Sequence, residues 1–337
     1  MVRSISTIDG RRSRPSSSAP ARLALALVLA AGAAAGCMPE LLRPEAPASA
    51  PEVRVALRVS QGLPLVEGRL PGDRRAWFLI DTGAGDYTLL DEGLTTALRL
   101  KHDLVRDPLL PSIQFCAQLP FLEVDGMGRR DLTVHVVEAL ADRAELSELG
   151  VRVEGVLGTG YFRGECLWLD WGRGEFTAKR PRVGLARHVP IPLRIGLGGD
   201  LRATLRVNGR DAETLVDTGS GRTLVAKEFA DEALLAYDQD KVALHQETSI
   251  GAAAVREGTI GRLSLGSEEV ADVAVLVVER RLPNAVLVLG TDVLSRYGVI
   301  LDLGPRPYLV LDPLEGKALE SVGGAAVEPG GGSAPPK

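Results

Sequence analysis

Residues 77–85 read WFLIDTGAG, and residues 213–221 read ETLVDTGSG. In each, an apolar run ends on Asp, followed by Thr, Gly, a small residue and a second Gly. Apolar strand residues bury the base of such a segment, Thr supplies a hydroxyl, and Gly permits a tight turn with close backbone approach. The result is a carboxylate, Asp81 or Asp217, presented at the end of a strand.

Outward from these stretches the chain repeats itself. VLGTGYF at 156–162 matches VLGTDVL at 288–294, and LDWG at 169–172 matches LDLG at 301–304. The aspartates are offset by 136 positions and both later pairs by 132, so the landmarks keep their order and nearly their spacing. Such self-similarity marks a duplicated domain. Each copy reads mostly as strands. Residues 53–59 place Val or Leu at every second position, segments 76–80 and 214–216 lead into the Asp turns, and 131–137 and 273–278 are rich in β-branched residues. Short helices are expected at 91–98 and 227–237. The reading is a mainly β protein of two lobes, 53–187 and 188–318, with the boundary near Arg187 between Pro181 and Pro190.

The bulk composition agrees. The chain has 337 residues, 45% of them hydrophobic, enough to bury two cores. Net charge is −5 with no block of Lys or Arg, which argues against nucleic acid as a partner. His102, His135, His188 and His245 are scattered, and no HExxH or paired Cys cluster suggests a metal, so neither metal nor cofactor is expected. The chain has no G-x-S-x-G elbow and no phosphate-binding Gly-Lys-Ser/Thr loop. Asp170 and Asp302 each precede a Gly turn and read as turn residues.

Residues 1–37 read as an address. Arg3, Arg11, Arg12, Arg14 and Arg22 precede an apolar run from Leu23 to Ala35, too short to span a membrane comfortably. Ala34-Ala35-Gly36-Cys37 is similar to the bacterial lipobox, with Ala in place of the usual leading Leu. This predicts export and a lipid anchor on Cys37, at the outer membrane facing the periplasm or cell surface; the alternative is a cleaved signal or an uncleaved anchor with Cys37 incidental. Residues 38–52 form a Pro- and Ala-rich linker, and 319–337 form a Gly-rich tail expected to be disordered. The remaining cysteines, Cys116 and Cys166, permit either one disulfide or two thiols.

An Asp-Thr-Gly-Ala or Asp-Thr-Gly-Ser after an apolar strand, followed some 70 to 80 residues later by Leu157-Gly158 or Leu289-Gly290 in an apolar frame, resembles the retropepsin-like aspartic proteases. The resemblance covers most of residues 53–315 and implies two acid-protease β-barrel lobes with short helices. It implies that Asp81 and Asp217 form a catalytic dyad supported by Thr82, Gly83, Ala84, Thr218, Gly219 and Ser220, with the threonines bracing the lobe interface. It also implies that the two Leu-Gly segments thread behind the catalytic turns. Two carboxylates held about 3 Å apart cannot both ionise, so one is acid while the other is base. The expected activity is endopeptidase cleavage of polypeptide, without cofactor, by a monomer whose lobes pair intramolecularly. The alternative is a catalytically silent envelope lipoprotein of the same fold that binds peptides or partner proteins.

The copies differ in ways that carry expectations. The first holds one extra residue just after its turn. Ser220 is expected to donate its hydroxyl to Asp217, which Ala84 cannot do for Asp81. Asp292, replaced by Gly160 in the first copy, is expected to cap a short helix. A flap hairpin is expected between each Asp-Thr-Gly and its Leu-Gly, at 249–257 in the second copy.

Overall fold

The alternation in LRATLRV, residues 201–207, sets the pattern of the whole molecule. Leu201, Ala203, Leu205 and Val207 face inward, and Arg202, Thr204 and Arg206 face outward. Asn208 and Gly209 follow, both with positive φ, and the chain returns as Arg210–Val216 through the tight hairpin that such a pair favours. The computed structural model describes residues 53–104, 115–124, 126–178, 189–247, 251–279, 282 and 284–313. The address, linker and tail segments and the boundary near Arg187 lie outside these residues, as does Cys37.

Hairpins of this kind close into two six-stranded barrels, and the protein is mostly β with few short helices. In the first lobe the ring runs Leu63–Arg69, Arg75–Ile80, Val153–Leu157, Thr88–Asp91, Met127–Val137 and Phe115–Val124, and returns to Leu63–Arg69. In the second it runs Leu201–Val207, Arg210–Val216, Leu287–Leu289, Leu224–Ala226, Glu268–Val278 and Gly251–Leu265, and closes on Leu201–Val207. Closure removes the free sheet edges. Both interiors are packed with aliphatic side chains, among them Leu90, Leu119 and Leu122 in the first and Val216, Val225 and Ile260 in the second.

A third sheet belongs to both lobes. Its order is Val53–Ala56, Glu175–Ala178, Cys166–Asp170, Tyr297–Asp302, Tyr308–Pro313 and Ile191–Pro192. At its centre Trp168 lies opposite Ile300, its own counterpart in the repeat, so the pseudo-twofold axis passes through that pair. The two copies therefore join edge to edge, each contributing three neighbouring strands.

The helices are shorter than expected. Glu92–Ala97 starts where the Asp91 carboxylate accepts the Gly93 amide at 3.0 Å. The second covers only Lys227–Glu232, because Leu234 turns left-handed, and Ala236–Tyr237 is a strand paired with Gly258–Thr259. In the second lobe Ala243–Glu247 pairs with Gly251–Val255, a hairpin over the stretch expected to hold a flap; residues 248–250 lie outside the described ones. The first-lobe counterpart pairs His102–Leu104 with Phe115–Ala117.

Candidate active site

Arg75–Ile80 and Val153–Leu157 run parallel with Ile80 opposite Leu157, and the Asp81 amide donates to the Leu157 carbonyl at 3.0 Å. The last apolar residue is thereby held in the barrel, and Asp81 is the first to leave the sheet. Likewise Val216 lies opposite Leu289, whose carbonyl accepts the Asp217 amide at 3.1 Å. The Gly158 amide donates to the Tyr87 carbonyl at 3.0 Å, and the Gly290 amide to Thr223 Oγ1 at 3.2 Å. Neither glycine has space for a side chain: a Cβ on Gly158 would stand 2.1 Å from the Gly85 carbonyl oxygen, and one on Gly290 2.5 Å from that of Arg222. The Leu-Gly segments thus lie directly behind the two turns.

The turns interlock across the pseudo-twofold axis. Thr82 Oγ1 donates to the Val216 carbonyl at 2.7 Å and accepts the Thr218 amide at 3.1 Å. Thr218 Oγ1 donates to the Ile80 carbonyl at 2.8 Å and accepts the Thr82 amide at 3.1 Å. A Cβ on Gly83 would lie 2.5 Å from Cγ of Asp217, and one on Gly219 would lie 2.2 Å from Cγ of Asp81. Each carboxylate therefore rests on the bare backbone of the opposite lobe's turn. Asp81 is 7% exposed and Asp217 is fully buried.

Two details depart from the sequence reading, and a third settles an open alternative. Ser220 sends its hydroxyl to the Arg222 carbonyl at 2.7 Å, because the turn curls that side chain toward the residue two positions on. What reaches Asp217 Oδ1 is the Ser220 amide at 3.1 Å, with the Gly219 amide at 2.8 Å, and Ala84 offers Asp81 Oδ1 the same amide contact at 3.0 Å. Asp292 does not cap its helix, Thr291–Leu294, whose N-cap residue is Gly290. Its carboxylate instead accepts the Thr223 amide at 3.0 Å and the Thr223 hydroxyl at 2.6 Å, with Arg222 at 3.7 Å. Burial pushes the Asp292 carboxyl above its ordinary range, and the two Thr223 hydrogen bonds oppose that shift. Cys116 and Cys166 form no disulfide. They sit in different sheets, Cys116 opposite His135 in the first barrel and Cys166 opposite Asp302 in the shared sheet.

Asp170 and Asp302 serve turns, accepting the amides of Arg173 at 2.9 Å and Gly304 at 2.8 Å. Among the described residues no cluster of His, Cys, Asp or Glu could hold a metal ion. Sequence reasoning passed over Thr223, Thr159 and Asp86. The first two could have been found by aligning the copies, which match Thr223 with Thr88 and Thr159 with Thr291.

Residues 203–296, spanning Asp217 and Leu289-Gly290, match the family model described as gag-polyprotein putative aspartyl protease. The chain has the retropepsin-like aspartic protease fold, in duplicate. Among solved structures, basic 7S globulin from soybean aligns over 77% of this chain and 94% of its own, at TM-score 0.45 and 10% identity. A retropepsin-like aspartic protease from Rickettsia conorii aligns over 36% of this chain and 91% of its own, at TM-score 0.29 and 18% identity. No curated protein matches the sequence.

Proposed function

We propose that this protein is an aspartic endopeptidase in which Asp81 and Asp217 jointly activate a water against a peptide carbonyl. The observation that supports the reading is the reciprocal seating of each carboxylate against the other lobe's Asp-Thr-Gly glycine, the arrangement that two acids acting together need. Two such carboxylates share a proton and titrate as a pair. The ionised member takes a proton from the water as its oxygen bonds to the carbonyl carbon, and the protonated member gives its proton to the carbonyl oxygen. Collapse of the tetrahedral diol then breaks the C–N bond, as the newly protonated acid returns its proton to the leaving nitrogen and the other acid recovers one from the diol. The Thr82 and Thr218 pairs hold the turns in register, so little reorganisation is needed during the reaction. A polypeptide substrate, work as a single chain, and export with a lipid on Cys37 belong to the same proposal.

The test is cleavage of a diverse peptide library between about pH 3 and pH 8, alongside Asp81→Asn and Asp217→Asn. Loss of all cleavage in both variants is the expected result. A well-folded protein that cleaves nothing across that range would instead make this a peptide- or partner-binding module. A variant that retains full activity would remove its aspartate from the dyad.

A further inference from the structure

The two catalytic turns are braced differently. In the second lobe the brace is internal: the Asp292 carboxylate grips the amide and hydroxyl of Thr223, just past the turn. In the first lobe the matching position is Gly160, and a carboxylate could not return there, since a Cβ would stand 2.4 Å from the Asp86 carbonyl oxygen. The occupant of that space is the extra residue. The offset between copies falls from 136 at the aspartates to 135 at Leu89 and Leu224, which hold equivalent places opposite Val156 and Val288.

Asp86 reaches across to the second lobe. Its amide donates to the Gly198 carbonyl at 2.7 Å, and the Thr159 hydroxyl donates to the neighbouring Gly199 carbonyl, also at 2.7 Å in a buried contact. Arg163 pairs with the Asp86 carboxylate from its own lobe. The two accepting carbonyls sit on a tight turn, closed by the Gly199 amide on Gly196 at 3.0 Å and the Gly196 amide on Asp200 at 2.8 Å. Among the described residues the equivalent hydrogen bonds are not made across the pseudo-twofold axis, although the Thr291 hydroxyl lies beside Gly62. A Cβ on Gly85 would stand 2.0 Å from the Gly198 carbonyl oxygen, whereas one on Gly221 would find Gln61 only at 4.0 Å. Thr291, the counterpart of Thr159, donates within its own lobe to the Ser220 carbonyl at 3.2 Å.

From this asymmetry we infer that Asp86 and Thr159 are positioning residues, through which the Gly198 and Gly199 carbonyls of the second lobe hold the turn carrying Asp81. They replace for the first turn what Asp292 does for the second. Apart from the threonine bonds that the two turns exchange, the second turn is braced from within its own lobe, while the first is braced by the second lobe. As a statement about activity, this rests on Asp81 being catalytic; as a statement about which contact rigidifies which turn, it does not.

The experiment is amide hydrogen exchange on the full chain, together with peptide cleavage, for Thr159→Val, Thr159→Ser and Asp292→Ala. Losing one buried hydrogen bond should speed exchange at the Asp86 amide on the order of fivefold to tenfold in Thr159→Val, with the Thr223 amide unchanged. Asp292→Ala should do the reverse. Thr159→Val should lower kcat about tenfold at constant KM, and Thr159→Ser, which keeps the hydroxyl, should recover both exchange and kcat. Unchanged exchange at Asp86, equal acceleration at both turns, or a Thr159→Ser variant as impaired as Thr159→Val would overturn the inference. If the unaltered protein cleaves no peptide but the exchange pattern is as expected, the peptidase reading fails and the brace stands.

Discussion

Thr82→Val isolates the lobe interlock with little change of shape. Val matches Thr in volume and lacks the hydroxyl, so two hydrogen bonds disappear: Thr82 Oγ1 to the Val216 carbonyl and the Thr218 amide to Thr82 Oγ1. Both groups left behind are backbone atoms at a buried site, where water cannot substitute. Stranding a buried donor or acceptor costs about 1–3 kcal/mol, so the pair should cost ~2–6 kcal/mol, a large part of the ~5–15 kcal/mol that holds a domain folded. Thr82→Ser keeps the hydroxyl and loses one methyl, and should cost only about 1 kcal/mol. The reciprocal bonds made by Thr218 Oγ1 survive in both variants, so Thr218→Val should match Thr82→Val. Urea unfolding followed by tryptophan fluorescence measures this, since Trp77 lies in the first barrel and Trp168 in the shared sheet. A Thr82→Val midpoint equal to that of the unaltered protein, or a Thr82→Ser variant as weak as Thr82→Val, would refute the assignment of interface strength to these hydroxyls.

Two further predictions concern stability away from the interlock. Because burial holds the Asp292 carboxyl above its unfolded value, its contribution is fully present below the unfolded pKa and is lost as pH rises through the folded one. Urea midpoints compared with Asp292→Asn should therefore show the unaltered protein losing ground from the ordinary carboxylate range upward, and the opposite trend would contradict the assigned cause. Leu234 sits at φ 53° and is 84% exposed, so Leu234→Asn should stabilise by about 0.5–1 kcal/mol in the same assay; destabilisation would mean that its side chain has an unrecognised role.

The lobes and the two Asp-Thr-Gly turns were legible because their signals are local. Alternation in 201–207 reports one strand's two faces, and the Asp-Thr-Gly turn needs only its own glycines to be recognised. Contacts between lobes were less legible. The hydrogen bond from Thr159 to Gly199 joins residues 40 positions apart through surfaces that neither local pattern describes. The Ser220 hydroxyl was misassigned because residue type specifies what can be donated, while turn curvature selects the acceptor. Asp292 was misread because a carboxylate beside a helix start resembles a cap unless the facing Thr223 is known. The end of the second helix depended on Leu234 adopting a backbone conformation that Leu rarely takes.

The strand Cys166–Asp170, which meets Tyr297–Asp302 in the shared sheet, also bears on synthesis. When the first copy leaves the ribosome, this strand can pair with Glu175–Ala178 on one side only. Its other edge, carrying Leu167, Trp168 and Leu169, waits for partners encoded 132 residues later. At about 5–20 residues per second that delay is on the order of ten seconds, long enough for bare edges on neighbouring nascent chains to find one another. Production of this protein should therefore benefit from slow expression or from a holding chaperone during that interval.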